Sequence, residues 1–486
     1  MWVRLGSLIL LAGLGAWAQT SESPDVVGPP ASLKQELIGP PSPFEPLPLE
    51  PEPQFPLPHI PLLDQELEQV LQTPTDLDYL IPTPEAVVKS ILGFVFLLGL
   101  AYIAGHPRVA ELERRLGIAH LATTGLPFVL LGFIAAQRSV GVLSPGVLME
   151  VAPLLTLGLG WLGFAIGYRF DGRLMENLPA GIGAVVWPMT ILPVLTVAGA
   201  SGLLMFLYEG GTMDRTLVRD AVLLGLAGAM AAKSSPHLWK DRGLSEADLD
   251  RMSRIVQLER IAGIFGLMAV AAYFRTDDSV VLWQLPSLAW LFVTLGVGAA
   301  LGVVAHALLT TSRSDGESLV LLLGSISFAA GMAHYLRLSA ISVCFLVGVV
   351  LANAPSRWKG AVEDVTAKLE RPVYFLFLLI AGAVWFPADW RGWALMLIFV
   401  TSRLGGKRLG AAVVRGRGYE IGMAEKQWLT YAPAGAISLA VVISAQNLYG
   451  GPRVSWIVTA VIAGSLLNEI LVQVILRRGR SALASS

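Results

Sequence analysis

A few groups of polar residues interrupt an otherwise apolar sequence, and they are where chemistry could take place. Glu259 and Arg260 are adjacent inside one apolar stretch. Lys233-Ser234-Ser235-Pro236 closes another, Pro433 and Gly435 break a third, and Asn468-Glu469 lie in a fourth. A carboxylate in a partly dry site can hold a proton and a cation in turn, because burial favours its neutral form and nearby positive charge its ionised form. Glu259 is the only carboxylate between residues 253 and 274. Its helical neighbours three and four residues away are Ile255, Val256, Ala262 and Gly263, all apolar. A neutralising contact must therefore come from another helix, and Lys233 is the nearest candidate. Arg260 is turned about 100° away from Glu259 around the helix. Two uses of this dipeptide stay open: a direct part in binding a proton and a cation in turn, or interhelical ion pairs near the end of the apolar stretch, with Arg254 a turn or two away.

Other chemistries find less support. The six histidines are scattered, with no pair at a metal-ligand spacing. Gly158, Gly160 and Gly163 spell a dinucleotide-binding fingerprint but lack the preceding strand it needs, so close helix packing is the better reading. The single Cys344 lies in an apolar run and reads as a small buried hydrophobe. With no nucleophile, metal cluster or phosphate cradle, neither an enzyme nor a bound cofactor is expected. A net charge of −1 gives no field to gather nucleic acid.

The elements that must position these residues follow from composition. Of 486 residues, 54% are hydrophobic and 15% charged, against about 25% charged in soluble domains. The mean hydropathy is +0.63, which excludes a soluble globular protein. Residues 1–18 read as a cleaved signal peptide, with Arg4, a short apolar run and Ala16-Trp17-Ala18. Residues 19–84 read as an extracytoplasmic, disordered acidic tail, since residues 24–84 hold 16 of the 30 prolines and ten carboxylates against Lys34 alone. Residues 85–478 form the membrane domain, and 479–486 a cytoplasmic tail.

Thirteen spans fit the apolar runs: 86–105, 119–136, 149–168, 180–208, 217–236, 253–274, 283–310, 317–335, 338–354, 372–388, 391–413, 429–447 and 453–476. With the first tail outside, cytoplasmic segments carry 23 Lys and Arg against nine outside. The fold class expected is an all-α polytopic membrane protein in the cell membrane, with its C-terminus in the cytoplasm.

Spans 5 and 12 are not simple helices. Ala227 to Pro236 and Ala432-Pro433-Ala434-Gly435-Ala436 are rich in small residues and proline, and proline removes a backbone donor. Broken backbone at membrane depth is tolerated where protein or a water-filled cavity satisfies it. The two spans are seven apart and run in opposite directions, as corresponding members of two inverted repeats must. Each precedes a span with ionisable residues, a plan by which secondary transporters build an ion site.

The sequence resembles the monovalent cation:proton antiporter superfamily over residues 85 to about 478. The resemblance is carried by Arg108-Val-Ala-Glu-Leu-Glu-Arg-Arg-Leu-Gly-Ile, Phe128 to Pro145, Leu157 to Asp171, Lys233-Ser-Ser-Pro, Leu346-Val-Gly-Val-Val-Leu-Ala-Asn353 and Ala432-Pro-Ala-Gly-Ala-Ile-Ser-Leu-Ala, in that order. It implies a homodimer built on one panel of spans, a core with crossed broken helices, and elevator-like alternating access. It also implies exchange of a monovalent cation, sodium or potassium, for protons across the lipid bilayer.

Glu259 is then the protonatable group, with Arg260 and Lys233 setting its charge. The dipeptide departs from the family's Asn-Asp, Gln-Asp or Asp-Asp. The basic residue many members carry midway along span 10 is missing, since Pro372 to Phe386 contains no Lys or Arg. Arg403, Lys407 and Arg408 are expected to snorkel at the inner interface, and Glu469 to pair with Arg477. Glu259, Lys233 and Arg260 together carry +1, so a same-fold transporter of an anion or neutral solute is the alternative. A transport-inactive scaffold that binds a partner through its acidic tail is another.

Overall fold

The computed structural model describes residues 126–137, 145–171, 181–232, 245–275, 285–355, 358–416, 423–449 and 451–484, with isolated positions at 93, 95, 99, 143, 172 and 176. The expected signal peptide, the acidic tail and nearly all of span 1 lie outside the described residues, as do Lys233, Ser234, Ser235 and Pro236. The described chain is helical: α1 (Leu126–Ala136), α2 (Pro145–Gly167), α3 (Ile182–Tyr208), α4 (Arg215–Ala229), α5 (Glu246–Tyr273), α6 (Ser287–Thr310) and α7 (Asp315–Tyr335) come first. They are followed by α8 (Ala340–Asn353), α9 (Lys359–Ala383), α10 (Trp390–Gly416), α11 (Met423–Tyr431), α12 (Ala436–Leu448) and α13 (Pro452–Ala484). Each of spans 2 to 13 overlaps one of these helices, and span 12 two, while residues 119–125 of span 2 and 233–236 of span 5 lie outside the described residues.

This is a multi-pass membrane protein. Among the described residues six segments have the length and apolar content to cross a bilayer, and shorter apolar helices accompany them. Helix α13 continues through residues 479–484, which the sequence assigned to a tail. At 33 residues it is about 50 Å long, more than the hydrocarbon thickness of about 30 Å.

The helices sort into two groups by mutual contact. Helices α1, α2 and α6–α9 pack together, and α3–α5 with α10–α13 form the second group. Glycine lets backbones approach in the first. A Cβ on Gly163 or Gly167 of α2 would collide with the Ile341 or Phe345 carbonyl of α8, and one on Gly348 would meet the Phe164 carbonyl oxygen at 2.5 Å. The packing role expected for the α2 glycines is therefore borne out. Cys344 is buried between these helices, as its apolar run implied.

The second group carries the breaks. Helix α4 ends at Ala229, and Met230 to Ala232 are not helical. Helix α11 ends at Tyr431, residues 432–435 are not helical, and α12 begins at Ala436. Pro433 thus sits between two helices. Helix α5 passes alongside, started by a capping box in which Ser245 and Asp248 satisfy each other's backbone N–H groups.

Candidate functional site

The two breaks meet. The Ala232 N–H donates to the Pro433 carbonyl at 2.8 Å. Gly435 makes the approach possible, because a Cβ there would come within 2.7 Å of the Ala232 Cα. The helix ends so created leave carbonyls without intrahelical donors, and a buried one must find another partner.

Arg403 of α10 supplies it for both. Its Nη1 donates to the Ala432 carbonyl at 2.8 Å and its Nη2 to the Met230 carbonyl at 3.2 Å. A single guanidinium therefore caps the C-terminal ends of α4 and α11, where the helix dipoles favour positive charge. Ser438 of α12 donates to the same Met230 carbonyl at 3.4 Å. The Asn468 amide oxygen of α13, in the orientation that satisfies its neighbours, accepts from the Ala434 N–H and from Arg403 Nη1, each at 3.2 Å.

One turn further along α10, on the same face, Lys407 donates to Glu259 Oε1 at 2.7 Å. The lysine side chain is 1% exposed and the glutamate 2%, so the pair is sealed from both sides in this conformation. Glu259 lies fourteen residues past the Ser245 cap, about 21 Å along a 28-residue helix, close to its midpoint.

Lys407 also donates to the Met189 carbonyl at 3.0 Å. The sequence explains why that carbonyl is available: its helical donor would be the N–H of residue 193, and Pro193 has none. Gly406 and Gly410 bring α10 against this part of α3, with a Cβ on Gly406 reaching 2.6 Å from the Pro193 Cα.

These contacts revise three expectations. Arg403 and Lys407 do not snorkel: both are buried, and their polar ends face the protein interior. Arg408 alone of the three is exposed. The partner of Glu259 is Lys407, and the basic groups sought in span 10 stand on α10, which is span 11. Arg260 is not part of this constellation. Lys407 and Arg403 are the described charges near Glu259, whereas Arg260 lies near Arg169, just past the end of α2, and Glu370 and Tyr374 of α9. Glu469 is buried; the side chain of Arg477 lies outside the described residues.

The structure therefore brings together Glu259, Pro433, Gly435 and Asn468 from the residues singled out by sequence. It adds Lys407, Arg403, Ser438 and the Met189 carbonyl. Chemically this is one carboxylate held by one ammonium beside a crossing of helix ends, with a second cation committed to backbone carbonyls. The carboxylate can take a proton, the lysine or a small cation, but only one at a time at the same oxygen.

No family model and no curated protein sequence matches the chain. Solved structures do. The chain is similar to the sodium proton antiporter MjNhaP1 from Methanocaldococcus jannaschii at pH 8, with a TM-score of 0.59, 14% identity, and coverage of 78% of this chain and 98% of that one. An electron-microscopy map of the same antiporter gives a TM-score of 0.52 and 17% identity, covering 80% of this chain and 96% of that one. The fold is that of a sodium/proton antiporter, as the order of motifs implied.

Proposed function

We propose that the protein is a secondary active transporter exchanging a monovalent cation for protons by alternating access, with the Glu259–Lys407 pair as its exchange site. The observation that carries the reading is the 2.7 Å contact between a lysine and a carboxylate, both buried, beside the crossing of two broken helices. A cation that reaches Glu259 displaces the ammonium, and Lys407, deprived of its counter-charge in a dry site, gives up a proton. Return of the proton to Lys407 restores the pair and expels the cation. Local charge is the same before and after, so neither state leaves an uncompensated buried ion.

Arg403 takes no part in the exchange, since its charge is matched by two helix ends throughout. Helices α3–α5 and α10–α13 move as the carrier against the others. The protein works as a homodimer in the cell membrane, with the signal peptide removed, the acidic tail outside and the C-terminus in the cytoplasm. The excess of Lys and Arg in the inner segments supports that orientation, and it survives the removal of Arg403 and Lys407 from the count.

In energised inside-out vesicles containing the full chain, Na⁺, K⁺ or Li⁺ should collapse the pH gradient, and Glu259→Gln should abolish the response. Absence of any response between about pH 6 and 9, the range in which a buried lysine without its counter-charge gives up a proton, defeats the reading.

A second reading rests on the formal charge alone: with the helix ends left out, Arg403 and Lys407 against Glu259 sum to +1. On that count the substrate is an organic anion. Flux that is indifferent to alkali cations and saturates with an organic anion selects it.

A further inference from the structure

On the exposed surface of α10, about a quarter-turn round the helix from Lys407, Arg408 and Arg415 project from one face. They are seven residues apart, which is two turns or about 10.5 Å. Between them the surface falls away over Ala412, and α11 closes the side with Gln427 and Tyr431, leaving a groove of about 840 Å³. Arg408 is held in place by α11, donating to the Tyr431 hydroxyl at 3.0 Å and lying over its ring. Neither arginine has a carboxylate partner among the described residues. Two guanidiniums with no counter-charge among the described residues, spaced across a small-residue floor and flanked by amide and hydroxyl groups, suit a phosphate ester, which guanidinium binds through paired hydrogen bonds.

The surroundings say which kind of phosphate ester. Leu409, 52% exposed, and Val413, 39% exposed, flank the groove between the levels of the two arginines, and Leu397, 56% exposed, lies three turns before Arg408 on the same face of α10. Trp187 of α3 is 66% exposed, and the helix turn before it packs with Ala411 and Val414. An exposed tryptophan at that height marks the interfacial layer of a bilayer. A phosphate between the arginines would sit in that layer with an apolar track leading away from it.

We infer that the groove between α10 and α11 is a binding site for the headgroup of an anionic phospholipid, with Arg408 and Arg415 on the phosphate and the acyl chains along Leu409, Val413 and Leu397.

The test is native mass spectrometry of the full chain in detergent, with equal amounts of phosphatidylglycerol and phosphatidylcholine added. The wild type should retain phosphatidylglycerol in preference. Arg408→Ala with Arg415→Ala should lower that preference by on the order of thirtyfold, about fivefold for each arginine near the membrane surface. Ala412→Trp, which fills the floor and keeps both charges, should lower it too, and Arg313→Ala, on an exposed turn elsewhere, should not. Each variant is accepted only if it elutes as the wild type in size-exclusion chromatography. Equal retention of the two lipids by the wild type, or an undiminished preference in the double variant, overturns the assignment. Inorganic phosphate is the last arm: it should fail to displace the lipid, and displacement would assign the groove to free phosphate and overturn the lipid.

Discussion

Lys407 Nζ and Glu259 Oε1 stand 2.7 Å apart with both side chains almost wholly buried. An ion pair of this kind is expensive to desolvate and is not in itself a source of stability. Its presence midway along a membrane helix, against a carbonyl freed by Pro193, is better explained by use than by folding.

Removing one partner alone leaves the other as an unpaired buried charge. Lys407→Met should destabilise the protein by about 3–5 kcal/mol. Glu259→Gln combined with Lys407→Met, which removes both charges, should recover most of that loss. Thermal unfolding of the single and double variants in detergent checks this; a double variant as unstable as Lys407→Met would deny the coupling.

Arg403 joins two broken segments, and only a forked side chain can reach both the Ala432 and Met230 carbonyls. Arg403→Lys should lose one of these contacts, at about 1.5–3 kcal/mol for a charged hydrogen bond. Hydrogen exchange should quicken at the Ala232 amide, which bridges the crossing, while the middle of α6 stays protected. Unchanged protection at Ala232 would mean that the guanidinium does not hold the crossing.

Gly435 and Gly405 make a matched comparison. A Cβ on Gly435 meets backbone at Ala232, whereas one on Gly405 meets nothing within 4 Å. Gly435→Ala should cost about 1–3 kcal/mol by overpacking. Gly405→Ala, inside α10, should be neutral or gain up to about 1 kcal/mol from helix propensity. Melting temperatures of the two variants decide it, and equal effects would contradict the close approach.

Arg260 neighbours Glu259 in sequence but answers to Arg169, Glu370 and Tyr374. Arg260→Gln should therefore leave the cation response in vesicles within a few-fold of wild type, while Glu259→Gln removes it. Equal loss in both variants would return Arg260 to the exchange site.

Much of this was legible in the sequence. The proline and small residues at 432–436 announced a break, Asn468 and Glu259 stood out as polar groups in apolar runs, and the order of motifs gave the fold. The partner of Glu259 was not legible, because Arg403, Lys407 and Arg408 read as one basic cluster near a span end. Helical geometry separates them: Arg403 and Lys407 share a face with Gly406, Gly410 and Val414, all buried, while Arg408 turns outward. Small residues on the face of a charged group were the available sign that the charge is packed inside. The role of Pro193 was hidden for another reason, since a freed carbonyl leaves no trace in the residue that owns it.

The most direct measurement is proton release on cation binding. The full chain in weakly buffered detergent solution, between about pH 6 and 9, should release protons when Na⁺, K⁺ or Li⁺ is added, and Glu259→Gln should release none. No release with any of these cations, or release undiminished in Glu259→Gln, would contradict the competition for Glu259 on which the account depends.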